Sequence, residues 1–531
     1  MNSTVSSTYV SRTLPLRLPQ VCVALGGSHA AEIIQKAEAL VRENPFFEFR
    51  LDYLRQPAAA LPRLRRFLDY HPEAVAIGTC RRAASGGRFR GSLSAQIELL
   101  LKIAAAGCQM VDLELESAVA LKPADIARIR SRAALVLSYH DFRATRKLEE
   151  TFAKMEAIPA DFYKIVTTAT SLYDNVVMMK FLEQKSYTHS VIGLCMGEQG
   201  VISRLLSLRA GSAFTFAAAF PGEETAPGQI AARTLREVYR IGQLDAATKV
   251  YGVAGDPVSH SLSPIMMNAA FRRENVNAVY LALHAKTLPD LLACVHDIPI
   301  HGLSVTMPYK EPIIEHLDNT DALTAKVGAC NTVVRAADGK LYGFNTDVAG
   351  IIAPLEQRLA LSGAKILVIG AGGAARAAVF GLKERGADVY IMNRTPATGQ
   401  KLARQAHARF VRRADLKKYA FNVIINATPI GMNGKQSPLS EKEIRAKYLF
   451  EMVYNVPETA LARMARSQGV EVIPGTEMFV HQGARQFEIW TGKPAPVVEM
   501  QHVVNAALAA RAAARANGKK NTARTNSNNK K

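Results

Sequence analysis

Between Gln20 and Ile241, short apolar runs alternate eight times with longer stretches, and this rhythm constrains the fold more than any other feature. VCVAL, FFEFRL, AVAIGTC, MVDLEL, ALVLSYH, FYKIVT, SVIGLCM and AFTFAA read as strands. Helix-length segments such as Ala30–Glu43 and Ser92–Ala106 separate most of them. Apolar strands that alternate with helices suit a parallel sheet covered on both faces. Eight β/α units in about 220 residues specify a (β/α)8 barrel. A doubly wound sheet is the weaker reading, because no glycine-rich turn interrupts the alternation.

The 531 residues exceed what one core organises. After a connector at 242–249 (GQLDAATK) the chain starts again as α/β structure. Residues 250–350 read as a small substrate domain and 351–480 as a Rossmann domain. The segment 481–510 reads as helices that return to the substrate domain. Residues 1–19 read as a flexible N-terminal tail. The end at 511–531 carries seven Lys/Arg and no acid, the pattern of a disordered basic tail.

A net charge of +20 admits two partners, nucleic acid or anionic metabolites. Outside the tail the basic residues are dispersed among acids, without interleaved aromatics, which favours metabolites and argues against specific nucleic-acid binding. The six cysteines are scattered without a CxxC pair, as expected of reduced thiols in a cytoplasmic protein. No metal-ligand spacing is visible. The apolar runs are too short to cross a bilayer, and the first residues lack the core of a secretory signal.

Polar residues recur at the ends of the first eight strands: Glu48 and Arg50, Arg81, Glu114, His140, Lys164 and Arg204. Barrel strands deliver their C-terminal ends to one mouth, where such residues converge. Lys164, in FYKIV, is either a strand-end lysine that snorkels to water or an imine-forming amine. Burial disfavours ammonium and so promotes the second role. His140, in SYHDF on the adjacent strand, supplies a group that titrates near neutrality. Together they favour catalysis on a ketone.

EFRLD (48–52 from its glutamate), SYHDF, the lysine strand, GVISRL (200–205) and ETAPGQ (224–229) resemble the motif series of type I 3-dehydroquinate dehydratase, in order, over residues 20–240. The resemblance implies that Lys164 forms a Schiff base with the substrate ketone and that His140 moves the protons. It implies that Arg204 and Gln229 engage the carboxylate and ring oxygens, within a shell of Glu48, Arg50, Arg81 and Thr225. Thr225 stands where serine is usual. Ser85 replaces a glutamate that would orient the histidine. An aldolase-type barrel shares the strand lysine but does not account for SYHDF together with SRL and APGQ.

In the second half, GDPVSHSLSP (255–264) sets Ser261 and Ser263 two apart, a pattern that alone fits an ordinary capped turn. It is followed by LSVTMPYKE (303–311), GACNT (328–332) and GFNTD (343–347). In this order and spacing the four segments resemble shikimate dehydrogenase over about residues 250–505. The resemblance implies that Ser261 and Ser263 bind a carboxylate, that Thr306, Asn331 and Gln482 hold ring hydroxyls, and that Lys310 and Asp347 form the catalytic pair. Tyr454 in VYNVP matches the family and joins the substrate shell. Ser304 stands where asparagine is common, Met307 where valine is common, and Glu451 where aspartate is usual.

A strand, KILVIG, runs into GAGGAA, so Gly370, Gly372 and Ala375 fit G-x-G-x-x-A at the opening of a helix. Gly370, Ala371, Gly372, Gly373 and Ala374 are the expected pyrophosphate contacts. The next strand ends in Asn393, Arg394 and Thr395, with no carboxylate for a free ribose diol. Arg394 suits a 2′-phosphate, so NADP(H) is the expected cofactor. The resemblance implies that Thr428 and Met432, in NATPIGM, line the nicotinamide side, and Gly475 is a further expected cofactor contact. The two halves together imply dehydration of 3-dehydroquinate followed by NADPH-dependent reduction of 3-dehydroshikimate to shikimate. The alternatives are a second domain that oxidises quinate with NAD, and a metabolite-binding regulatory relic.

Overall fold

The computed structural model describes residues 14–528 except 259, 260, 299, 455 and 457, with 514–528 as backbone alone. The tail expected at 1–19 therefore lies outside the described residues up to residue 13. The chain falls into two compact units, Met1–Thr248 with Leu283–Ile298, and Lys249–Ala282 with Pro299–Lys531.

In the first unit all eight expected strands form: β1 Val21–Leu25, β2 Phe46–Arg50, β3 Val75–Thr79, β4 Met110–Glu114, β5 Ala134–His140, β6 Phe162–Thr168, β7 Val191–Met196 and β8 Thr215–Ala218. Their order is β7-β6-β5-β4-β3-β2-β1-β8, and their ladders are parallel, giving a nearly closed barrel. Every residue of β2, β3, β4 and β7 is buried, which explains their near-continuous apolar character.

Strand alternation then sorts the interior by depth. Phe46, Met110, Phe162 and Phe214 lie in one apolar cluster at the N-terminal ends of the even strands. The Phe214 ring meets Phe46 at 4.9 Å and Phe162 at 5.8 Å. Full burial of such side chains contributes roughly 1.5–3 kcal/mol each. Two residues further along, side chains return to the same face, and there stand Glu48, Asp112, Lys164 and Phe216. This is the layering of a (β/α)8 interior, four side chains from alternate strands. One apolar layer supports one charged layer.

The second unit holds two sheets. One contains β9 Lys249–Gly255, β10 Ala278–His284, β11 Ile300–Val305, β12 Asn319–Thr320, β13 Thr332–Arg335 and β14 Leu341–Phe344, in the order β10-β9-β11-β13-β14-β12. The other contains β15 Lys365–Ile369, β16 Asp388–Met392, β17 Arg409–Phe410, β18 Phe421–Asn426, β19 Ala446–Glu451 and β20 Glu471–Pro474. Its order, β17-β16-β15-β18-β19-β20 with parallel ladders, is that of a dinucleotide-binding Rossmann sheet. Ile366, Val368, Val423 and Ile425 enter one core, while Leu367, Ile369, Ile424 and Leu449 enter the core on the other face.

The helix Gly475–Thr491 packs Phe479, Val480, Phe487 and Trp490 into the same cluster as Tyr251 and Met266. This helix thus shares a core with the sheet that contains β9. The following helix, Val497–Asn528, runs past residue 511, where the composition led us to expect a tail without order. The alanine-rich run 506–516 has the strongest intrinsic helix preference available.

Candidate active sites

In the barrel, Lys164 is held by its own layer. Its Nζ lies 3.1 Å from Asp112 Oδ2, 3.4 Å from Glu48 Oε1 and 4.1 Å from the centre of the Phe216 ring. The intervening odd strands secure the carboxylates: Thr79 Oγ1 donates to Glu48 at 2.8 Å and Ser138 Oγ to Asp112 at 2.7 Å. Arg81 adds a second cation, 3.1 Å from Asp112 Oδ1. Burial alone would raise both carboxyl pKa values. The Lys164 and Arg81 cations hold Asp112 well below its ordinary value, and Lys164 and Arg50 hold Glu48 below its own. The layer carries two anions beside two cations.

His140 ends β5, its ring stacked on Phe142 at 5.9 Å. Burial, then the Arg81 and Lys164 cations, push its pKa well below the ordinary imidazole value. The ring is therefore a neutral base at physiological pH. Ser85, in the place of the usual glutamate, donates to Glu116 Oε2 at 3.3 Å. Arg50 turns to Asp52 in a two-pronged pair at 3.0 and 2.9 Å. Arg204 is buried and donates to Pro227 O at 2.9 Å, while its Nε has no partner among the described residues. Burial pushes its pKa down to about 10, which leaves it cationic at neutral pH. Thr225 and Gln229 bond to each other, backbone and hydroxyl both donating to Gln229 Oε1 at 2.8 and 3.1 Å.

In the second unit, Lys310 Nζ meets Asp347 Oδ2 at 2.5 Å. The other Asp347 oxygen accepts from Asn331 Nδ2 at 2.7 Å. Gln482 Oε1 lies 3.4 Å from the same amide nitrogen, and Tyr454 stacks on Phe479, one turn before Gln482, at 4.7 Å. Thr306 follows β11, anchored through its N–H to Ala254 O at 2.9 Å. Ser263 is buried at the start of its helix, and its N–H donates to Ser261 Oγ at 3.2 Å.

The Gly-rich turn reaches this cluster. A Cβ placed on Gly373 would stand 3.5 Å from Lys310 Cδ. Gly370 has φ of 120°, a conformation that side chains disfavour, and its Cα faces Thr428. Gly372 opens onto free space, and the helix Gly373–Glu384 begins without a side-chain cap. Exposed N–H groups of this kind suit a pyrophosphate, with Ala371 and Ala374 too small to obstruct it. Arg394 and Thr395 are exposed after β16, where Asn393 Nδ2 shapes the turn by donating to Thr395 O at 3.0 Å. Thr428 Oγ1 is engaged by Asn426 at 2.7 Å, and Met432 is exposed. Gly475 is required sterically, since a Cβ there would lie 2.5 Å from Met452 O.

Sequence reasoning missed Asp112, Phe216, Tyr280 and Gln486. It took Glu114 from MVDLEL, but that carboxylate faces Arg82 N and Gln96 Nε2 at 2.5 and 2.6 Å. Period-2 counting from Phe46–Glu48 and Phe162–Lys164 would have found Asp112, one step beyond Met110.

These side chains and folds define a two-site enzyme, an amine-bearing barrel joined to a dinucleotide-type unit with a Lys/Asp pair. Comparison with known proteins gives the same division. The type I 3-dehydroquinase family matches residues 21–246, and the shikimate dehydrogenase substrate binding domain matches 253–333. Shikimate / quinate 5-dehydrogenase matches 354–441, and the shikimate 5′-dehydrogenase C-terminal domain matches 475–504. The chloroplastic bifunctional 3-dehydroquinate dehydratase/shikimate dehydrogenase of Arabidopsis thaliana is 33% identical over 488 residues, 87% of this chain and 80% of that protein. A shikimate dehydrogenase (NADP(+)) of Syntrophobacter fumaroxidans is 38% identical over 47% of this chain and 89% of its own length. The solved dehydroquinate dehydratase and shikimate dehydrogenase from S. pombe is 24% identical, with a TM-score of 0.43 over 91% of this chain and 98% of that one. The chain belongs to the bifunctional 3-dehydroquinate dehydratase/shikimate dehydrogenase family.

No helix among the described residues is long and apolar enough to cross a membrane.

Proposed function

We propose that the chain converts 3-dehydroquinate to 3-dehydroshikimate at Lys164, then reduces that ketone to shikimate with NADPH at Lys310. The observation that carries this reading is a carboxylate-held lysine in each unit, one buried inside the barrel between Asp112 and Glu48 and one half-buried against the Gly-rich turn beside Asp347.

In the first step the Lys164 nitrogen adds to the ketone carbon, and water leaves as the imine forms. Neutral His140 takes the C2 proton, and the C–H electron pair flows into the iminium. The protonated imidazole then delivers that proton to the departing hydroxyl, and hydrolysis of the imine frees the amine. Arg204 and Gln229 engage the carboxylate and ring oxygens. Arg50, Arg81, Glu48 and Thr225 complete the shell. Before the attack the Lys164 ammonium gives up a proton, with neutral His140 assisting its passage to water, while Asp112 steadies the lysine in place.

In the second step Ser261 and Ser263 take the carboxylate. Thr306, Asn331, Gln482 and Tyr454 hold the ring. Lys310 gives its proton to the oxygen that becomes an alkoxide, and Asp347 keeps the ammonium in place. Residues 370–374 would hold a dinucleotide, with Thr428, Met432 and Gly475 about its reactive end, and when bound it would supply the hydride. Asn393, Arg394 and Thr395 form the 2′-phosphate side. We assign 20–241 to the dehydratase, 250–350 to substrate binding, 351–480 to the cofactor and 481–510 to the returning helices. The six buried cysteines, scattered without a CxxC pair, support a reducing compartment such as the cytoplasm. The partners are small molecules.

The test is a coupled assay. With 3-dehydroquinate and NADPH the chain produces shikimate, faster than it turns over quinate with NAD; the reverse preference would reject the assignment. Arg394→Ser raises the KM for NADPH by about 10- to 100-fold, the worth of a hydrogen bond to a charged group, and leaves that for NADH unchanged.

A pH profile tests His140. Its base form is lost as pH falls through its depressed pKa, so the acid limb of kcat/KM for dehydration lies below the ordinary imidazole range. Arg81→Gln removes one cation that depresses this pKa. The limb moves to higher pH, whatever the amplitude; an unmoved limb counts against His140 as the base.

A further inference from the structure

Beneath the second site runs a continuous line of buried polar groups that the mechanism above leaves unused. Tyr280 OH meets Ser304 Oγ at 2.5 Å, and Ser304 Oγ meets Gln486 Oε1 at 2.8 Å. Gln486 Nε2 reaches Thr332 Oγ1 at 3.0 Å and Asn331 O at 3.1 Å. Thr332 Oγ1 meets Asn331 Oδ1 at 2.9 Å, and Asn331 Nδ2 meets Asp347 Oδ1 at 2.7 Å. At the far end Tyr280 is hydrogen-bonded to the Ser263 side chain. The members come from β10, β11, β13 and the helix Gly475–Thr491. Tyr280, Ser304, Thr332, Asn331 and Gln486 are all buried.

Chemistry fixes the direction of the bonds from Ser263 to Gln486 and of the last one, from Asn331 to Asp347. A backbone carbonyl only accepts, so the end of Gln486 facing Asn331 O is its amide nitrogen. Its oxygen therefore faces Ser304, which must donate. With its one proton spent there, Ser304 accepts from Tyr280, and Tyr280 in turn accepts from Ser263. On the other side Asn331 Oδ1 accepts the Thr346 N–H at 2.7 Å, so the Asn331 nitrogen is the end that faces Asp347. Thr332 accepts from Gln486 and has two partners for its own proton, Asn331 Oδ1 at 2.9 Å and Thr346 Oγ1 at 3.1 Å, the second of which itself lies 3.2 Å from Asn331 Oδ1. Along this line the donors point one way, from Ser263 to Asp347. Bonds aligned head to tail polarise one another. Ser304 stands where asparagine is common, and a hydroxyl with one proton leaves less choice of direction than an amide.

We propose that Tyr280, Ser304, Gln486 and Thr332 form a one-way hydrogen-bond relay that locks the Asn331 amide against Asp347 and so positions Lys310 for proton donation. This rests on the reading of the cleft as a ketone-reducing site. The four are positioning residues and touch no reacting atom. The relay also ties the serine proposed to take the substrate carboxylate to the proton donor across the cleft, so the two ends of the site are set together.

Gln486→Glu tests it, because the variant keeps the size of the side chain and loses its donor. As carboxylate it presents acceptors to Thr332 and to Asn331 O. Once protonated it donates again, and a buried carboxyl keeps its proton to higher pH than an exposed one. With 3-dehydroshikimate and NADPH, kcat of the variant is about 10- to 100-fold below wild type at about pH 8.5. The ratio of variant to wild-type kcat then recovers by about 10-fold or more toward pH 5.5. Gln486→Met, which never donates, shows the loss at every pH. A ratio for Gln486→Glu that does not change with pH overturns the relay, at whatever level it lies.

Dehydratase activity and NADPH affinity confirm that each variant is folded. Should Gln486→Glu not fold, Tyr280→Phe decides, since it deletes one oxygen at the head of the line. A kcat lowered about 3- to 10-fold with KM held supports the relay, and an unchanged kcat sinks it. Wild-type turnover of 3-dehydroshikimate, measured alongside, tests the reading of the cleft separately; if the wild type is inactive, that reading falls first.

Discussion

Lys164→Ala eliminates dehydration of 3-dehydroquinate, by about 10⁴-fold or more, and leaves 3-dehydroshikimate reduction at the wild-type rate. No other side chain of the charged barrel layer can form an imine, because its neighbours are carboxylates, a guanidinium and a phenyl ring. The substitution also strands Asp112 and Glu48, and removal of one partner from a buried ion pair costs about 3–5 kcal/mol. Lys164→Arg is therefore the companion variant. It keeps the charge between the two carboxylates yet stays protonated, so no nitrogen lone pair is free to attack a ketone. Borohydride added during turnover should trap a substrate adduct on the wild-type peptide containing residue 164 and on neither variant. Dehydration surviving in Lys164→Arg, or an adduct mapped elsewhere, would remove this lysine from the chemistry.

The second large effect belongs to the other lysine. Lys310→Met lowers kcat for 3-dehydroshikimate reduction by about 10²- to 10⁴-fold, the usual worth of a positioned proton donor, while dehydration continues. Asp347→Asn falls in the same range, since the bond at 2.5 Å from Lys310 loses its charge and Asn331 faces an amide instead of a carboxylate. Both should retain NADPH binding, read by fluorescence or calorimetry. Loss of cofactor binding in both would mean that the pair supports the Gly-rich turn instead of the reaction.

The barrel was legible because each strand is short, apolar and followed by a helix-length segment, and all eight stand where that rhythm puts them. The Rossmann sheet was legible because its glycines and the strand before them are a local signature. Depth inside the barrel was harder to read. In MVDLEL, Asp112 and Glu114 share a face, and only the neighbouring strands show that the first reaches Lys164 while the second ends against Arg82 and Gln96. Tyr280 reads as an ordinary strand aromatic and Gln486 as a helix surface residue. Their meeting through Ser304 depends on three elements distant in sequence. Arg50 was placed in the substrate shell by its motif, yet its guanidinium is engaged by Asp52, a partner two residues away that the motif itself contains.

The aromatic and methionine floor under Lys164 has a practical corollary. With Phe46, Met110, Phe162 and Phe214 packed one step below the amine, the described residues leave Lys164 to be approached from the C-terminal ends of the strands. Reactant and expelled water exchange at that mouth. A compound that corks this opening would halt the first reaction without imitating the carbocycle, and the second would be starved only of what the first supplies.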